Sequence, residues 1–105
     1  MTQARRALGA GGEDAVAAWY VAQGYEIVER NWRCRSGELD LIVRRGRTFV
    51  FCEVNISNGH VPDRALARRA AAAWVEFEAP MRPTDIRFDV ASVLAGEVSV
   101  EEGAF

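Results

Sequence analysis

Acidic side chains are uncommon in β-strands, yet two strand-like segments of this chain carry them amid apolar neighbours. Gly37-Glu38-Leu39-Asp40-Leu41-Ile42 and Phe51-Cys52-Glu53-Val54-Asn55 both alternate in the way a half-buried strand does. Between them lies Arg45-Gly46, which reads as a two-residue hairpin turn. Closing the hairpin there sets Arg44 against Arg47, Asp40 against Phe51 and Glu38 against Glu53. Glu38, Asp40 and Ile42 then share one face, with Leu39, Leu41 and Val43 on the other. Asp40 and Glu53 become diagonal neighbours on one side of the sheet, and a slip of one residue would separate them. Carboxylates gathered this way repel and raise one another's pKa unless something positive joins them. A hard divalent cation, Mg²⁺ or Mn²⁺, suits such a set, because magnesium takes one or two carboxylates and fills its other positions with water or phosphate. The metal candidates are Asp40, Glu53 and Glu38, with Glu13 able to approach from a helix. The competing reading is a solvated hairpin face neutralised by arginines such as Arg35 or Arg68.

The elements that must position these residues follow from periodicity. Residues 1–10 read as a frayed or partly helical start. From Gly12 the spacing of Ala15, Ala18, Trp19 and Ala22 is helical, with Glu13 and Asp14 in the favourable first turn and Gly24 as terminator. Tyr25 to Glu29 reads as a strand, Asn31 to Gly37 as a polar loop, and Glu38 to Arg44 and Thr48 to Asn55 as strands. Ile56 to Val61 is a loop, and Pro62 suits a helix start. Leu66, Ala70, Ala73, Trp74 and Phe77 form that helix's apolar stripe, and Pro80 and Pro83 stop it. Ile86 to Val93 and Val98 to Glu101 are two further strands. The order is α-β-β-β-α-β-β, an α/β domain with a mixed sheet flanked by helices. A chain of 105 residues is one domain, residues 1–105.

Composition narrows the function classes. Half the residues are hydrophobic and 27% are charged, which is globular. No apolar run is long enough for a membrane helix, and the N-terminus lacks a secretory pattern. Cys34 and Cys52 have no metal spacing, so a reducing cytoplasm is the expected setting. The formal charge is −2, but it is unevenly spread. Residues 30–47 carry a net +4 and residues 76–105 a net −5. The basic stretch reads equally as a local nucleic-acid face and as a solvated hairpin. All 13 basic residues are arginine, and arginine does not give up its proton. His60 reads as a solvated loop histidine, Trp32 as packing beneath the hairpin, Cys52 as buried, and Ser57 and Ser92 lack triad partners.

Taken together, Gly12-Glu13-Asp14, Asn31-Trp32-Arg33-Cys34-Arg35, Gly37-Glu38-Leu39-Asp40-Leu41-Ile42 and Phe51-Cys52-Glu53-Val54-Asn55 resemble the small bacterial YraN-like proteins. These are similar to Holliday-junction resolvases and carry the PD-(D/E)xK restriction-endonuclease-like fold. The resemblance implies that Asp40 is the motif's first acid, Glu53 its second, and Glu13 a helix glutamate near the metal. It also implies a nucleic-acid partner, DNA before RNA, no membrane, and a two-fold homodimer if both strands of a junction are cut. The motif's lysine, two residues after the second acid, is here Asn55. Asparagine can hydrogen-bond a water but is not a useful base. The expected protein therefore binds nucleic acid through Arg33, Arg35, Arg64, Arg68 and Arg69, with weak or absent cleavage. The alternatives are an active Mg²⁺-dependent endonuclease of branched DNA and a protein-interaction module.

Overall fold

The computed structural model of the chain describes residues 2–55 and 63–105, with side chains from Gly12 onward. The expectations for residues 56–62, including Ser57, His60 and Pro62, lie outside the described residues. Seven elements follow in the expected order: α1 (Thr2–Ala22), β1 (Glu26–Cys34), β2 (Gly37–Arg45), β3 (Thr48–Asn55), α2 (Arg64–Phe77), β4 (Asp85–Leu94) and β5 (Glu97–Glu101). The five strands form one mixed sheet in sequence order. β1, β2 and β3 pair antiparallel, β3 and β4 parallel, and β4 and β5 antiparallel. The parallel step is made by the α2 crossover, as a βαβ connection requires. The arrangement is that of a restriction-endonuclease-like domain.

Each face of the sheet has its own core. Val16, Ala17 and Tyr20 of α1 pack with Leu41, Val43, Val50, Cys52, Ala91 and Val93 on one side. Ala70, Ala71 and Trp74 of α2 pack with Leu39, Ile42, Phe49 and Phe51 on the other. Both helices are rotated from the expected stripes. In α1 the buried line runs Val16, Ala17, Tyr20, leaving Ala18 and Ala22 exposed. In α2 it runs Ala67, Ala70, Ala71, Trp74, leaving Leu66 41% and Phe77 75% exposed. Small alanines let α2 lie close on the sheet, so the longer Leu66 and Phe77 are turned outward. α1 ends as Gly24 predicts: its φ is +91°, and Gly24 N and Tyr25 N donate back to Val21 O and Tyr20 O, each at 3.0 Å. α2 is capped by Asp63, whose carboxylate accepts from Leu66 N at 3.1 Å.

Two sequence expectations change here. The segment Asn31 to Cys34 is strand, not loop, since β1 runs on to Cys34 and pairs with β2. α1 starts at Thr2, well before Gly12, so Glu13 and Asp14 lie in its body. One glycine is required by a close approach. Gly37 has φ +144°, and a Cβ there would come 3.1 Å from Leu66 O, so the β1–β2 turn lies against the first turn of α2.

Candidate carboxylate site and its relatives

The β2–β3 hairpin closes one step from the expected turn. Arg45 pairs with Thr48, leaving Gly46-Arg47 as the turn, and the ladder continues to Leu41↔Cys52. The shift moves the register by two residues, which preserves parity. Continued by one rung, this register brings Asp40 directly opposite Glu53, with Glu38 no longer facing it. Gly46, at φ +62°, supplies the left-handed residue that this turn needs.

The expected face assignment of β2 is corrected. Leu39 packs on the α2 side, whereas Leu41 packs on the α1 side. Residues two apart in a regular strand share a face, so β2 turns over at Asp40. β1 does the same at Asn31: Arg30 reaches Glu13 and Asp14 of α1, while Trp32 packs on the α2 side. Asp40 consequently sits between the two faces, just past the end of the β2–β3 ladder. There its Oδ2 accepts from Val54 N at 2.8 Å.

The two glutamates approach Asp40 from opposite faces. Glu53 follows Phe49 and Phe51 on the α2 side and stands opposite Asp40 in the continued strand register. Burial first, then Asp40 beside it, push Glu53 up to about 8, with Glu38 adding a smaller push. Glu13 extends the buried line of α1 by one turn and comes in from the α1 side. Its pKa is raised chiefly by burial and also by Asp40, against the lowering effects of Asn31 and Arg30. Arg30 Nη2 stands 3.9 Å from Glu13 Oε1, beyond hydrogen-bond reach, and binds Asp14 Oδ1 at 2.7 Å instead. Glu13 Oε1 and Asn55 Oδ1 are buried with no partner among the described residues. Buried polar atoms nearly always find one.

The donor set fits a hard cation of the magnesium class. It is all oxygen, it carries excess negative charge, and two of its buried oxygens have no partner among the described residues. Among the described residues, no three Asp, Glu, His or Cys side chains come close enough to cage a metal. The site is thus a carboxylate pair, Asp40 and Glu53, with Glu13 flanking Asp40. Glu38 stands outside the pair, its carboxylate 3.0 Å from Arg33 Nε.

The basic face predicted from residues 30–47 is largely spent on internal partners. Arg30 binds Asp14, Arg33 binds Glu38, and Arg44 binds Glu26 at 2.8 Å. Arg45 stacks 4.5 Å over Tyr25. On α2, Arg64 lies 5.6 Å from the Phe105 ring and Arg68 5.6 Å from the Phe88 ring, contacts that leave their charge uncancelled. Arg35 and Arg69 are exposed. The Gly37–Leu66 approach sets the β1–β2 turn, which carries Arg35, against the first turn of α2, which begins at Arg64.

Sequence reading missed Asn31, whose φ of 52° marks the turn-over, and Asp89, which is fully buried. The signal for Asp89 was an acid between Phe88 and Val90 in a strand with Arg87 on its own face.

Comparison with known proteins assigns the chain. Residues 12–93 match the model of the uncharacterised protein family UPF0102. This chain belongs to the UPF0102 family. A UPF0102 protein of Parafrankia sp. is 45% identical over 93% of this chain and 95% of its own length. One from Beutenbergia cavernae is 44% identical over 94% of each. One from Streptomyces griseus is 37% identical over 87% of this chain and 85% of its own length. UPF0102 is the YraN family that the motifs resemble. The family match runs from the body of α1 into β4, so it takes in Glu13, Asp40, Glu53 and Asn55. Among the described residues, no helix is long and apolar enough to cross a membrane.

Proposed function

We propose that this UPF0102 protein binds nucleic acid at a cation-dependent site built on Asp40 and Glu53, and that it cleaves weakly or not at all. The observation that carries the reading is the opposition of Asp40 and Glu53 in the continued β2–β3 register, with Asn55 Oδ1, two residues on from Glu53, buried and without a partner among the described residues. Asp40, Glu53 and the Asn55 carbonyl would hold Mg²⁺ or Mn²⁺. A bound cation supplies charge that neutralises the pair and draws in phosphate oxygens. Asp40 is held by Val54 N, so one of its oxygens is fixed in direction before any ligand arrives. Asn55 can orient a water through its amide but cannot take its proton. Arg35, Arg64, Arg68 and Arg69 are exposed and would neutralise phosphates of a bound strand, yet an arginine cannot replace a lysine as base.

The experiment is fluorescence anisotropy with branched, flapped and single-stranded DNA, with and without Mg²⁺, across a salt series. Affinity that rises with Mg²⁺ and falls steeply with salt supports the reading. Absence of binding even at low salt overturns it and leaves the protein-interaction alternative. Parallel incubation with Mn²⁺ tests cleavage: robust nicking by the wild type favours the active endonuclease instead. Asn55→Lys is expected to create or raise nicking, because it restores the missing cation beside the pair.

A further inference from the structure

We infer that Asn31 is the positioning residue of Asp40, and that its left-handed backbone is what places that carboxylate between the two glutamates. The inference deepens the proposed cation site and rests on it for its functional consequence. Asn31 is the one residue within a described strand with non-glycine φ in the left-handed region, at 52°. Its flanking rungs are Arg30↔Leu41 and Trp32↔Leu39, so it lies across from Asp40. On one side of that rung Arg30 and Leu41 are directed to α1; on the other, Trp32 and Leu39 are directed to α2. Both strands therefore turn over at the same rung, as a locally reversed φ produces. Had β1 and β2 kept regular alternation, Asp40 would lie on the face of Ile42, within the α2-side core and away from Glu13. The turn-over instead sets it between the two faces, where it accepts from Val54 N and its charge acts on both glutamates. Asparagine tolerates this conformation far better than a β-branched residue does. Its side chain also faces Glu13.

Three variants separate the backbone role from a general loss of stability. Asn31→Val disfavours the left-handed conformation, Asn31→Ala does so more gently, and Asn31→Gly permits it while deleting the amide. Each is first checked for folding by circular dichroism. Mn²⁺ affinity, followed by electron paramagnetic resonance, is expected to fall about tenfold in Asn31→Val, the size typical for residues that orient a metal ligand. Asn31→Ala should fall less, and Asn31→Gly should stay within about twofold of wild type. Should Asn31→Val fail to fold, Asn31→Ala against Asn31→Gly carries the same contrast. Val54 amide hydrogen exchange is the readout that needs no metal. It should quicken in the alanine and valine variants and not in the glycine variant, because Asp40 no longer accepts that N–H. Wild-type affinity and Val54 protection in both the valine and alanine variants would overturn the inference. So would a glycine variant as weak as the valine one. Wild type that binds no Mn²⁺ would sink the proposed site, while Val54 exchange would still decide whether Asn31 places Asp40.

Discussion

Two carboxylate arrangements sit about one sheet and differ in how completely they are answered. Asp89, in the middle of β4, is 0% exposed. It accepts from Tyr20 Oη at 2.6 Å, from Arg87 Nε and Nη2 at 2.8 and 2.9 Å, and from Gly103 N at 3.0 Å. These donors tie α1, β4 and the chain's last residues together, and the charge of Arg87 cancels that of the acid. The consequences reach the neighbours: burial, chiefly, raises the Tyr20 pKa, and the Asp89 hydrogen bond raises that of Arg87. Asp40 and Glu53 have one backbone donor between them among the described residues and no cation. An acid with a full set of donors and a counter-charge is a structural part. In the proposed reading, a pair lacking both among the described residues awaits a cation from outside.

That contrast can be broken or sharpened by mutation. The largest effect belongs to Asp89→Ala, which leaves the Tyr20 hydroxyl without its acceptor and Arg87 with Glu102 alone among the described acids. It should cost about 3–5 kcal/mol in urea unfolding, in the range for removing one partner of a buried ion pair. Asp40→Asn, by contrast, should change stability little. A large loss there would make Asp40 structural too. Tyr20→Phe comes next, with an expected loss of about 1–2 kcal/mol from one charged hydrogen bond.

Glu53→Gln is smaller and has the opposite sign, and it depends on pH. Glu53 holds its proton up to about 8 in the folded chain against an ordinary value of 4.5. Between those values the folded state binds a proton that the unfolded state has released, so stability falls as pH rises through that window. Glu53→Gln does not titrate. It should therefore melt a few degrees above wild type near pH 8.5, with the gap closing toward pH 4.5. A variant less stable than wild type at both ends would remove the like-charge account. Added Mg²⁺ should raise the wild-type Tm and leave that of Glu53→Gln nearly unchanged, since only binding to the folded state stabilises.

Much of this was legible before any coordinates, and the misses have local causes. The antiparallel β2–β3 pair follows from period-two alternation around Gly46, which survives a two-residue register shift, and the α2 crossover from a helical stretch set between two strand runs. The turn itself was misplaced because Arg45-Gly46 and Gly46-Arg47 offer the same glycine. The turn-over at Asn31 and Asp40 is invisible to a method that assumes regular alternation, and it split Leu39 from Leu41. Runs of alanine blurred both helix stripes, since alanine fits either a buried or an exposed position. Correcting α1 to Val16, Ala17 and Tyr20 is what puts Glu13 in line with the buried face. The basic tally of residues 30–47 overstated a free cationic surface, because counting charges ignores the acids that fold back onto them.

Mn²⁺ titration of the metal-free protein, followed by electron paramagnetic resonance, tests the central claim most directly. Wild type should bind one ion, and Asp40→Asn and Glu53→Gln should each weaken that binding at least tenfold while remaining folded. Equal binding by all three proteins, or none by the wild type, would contradict it.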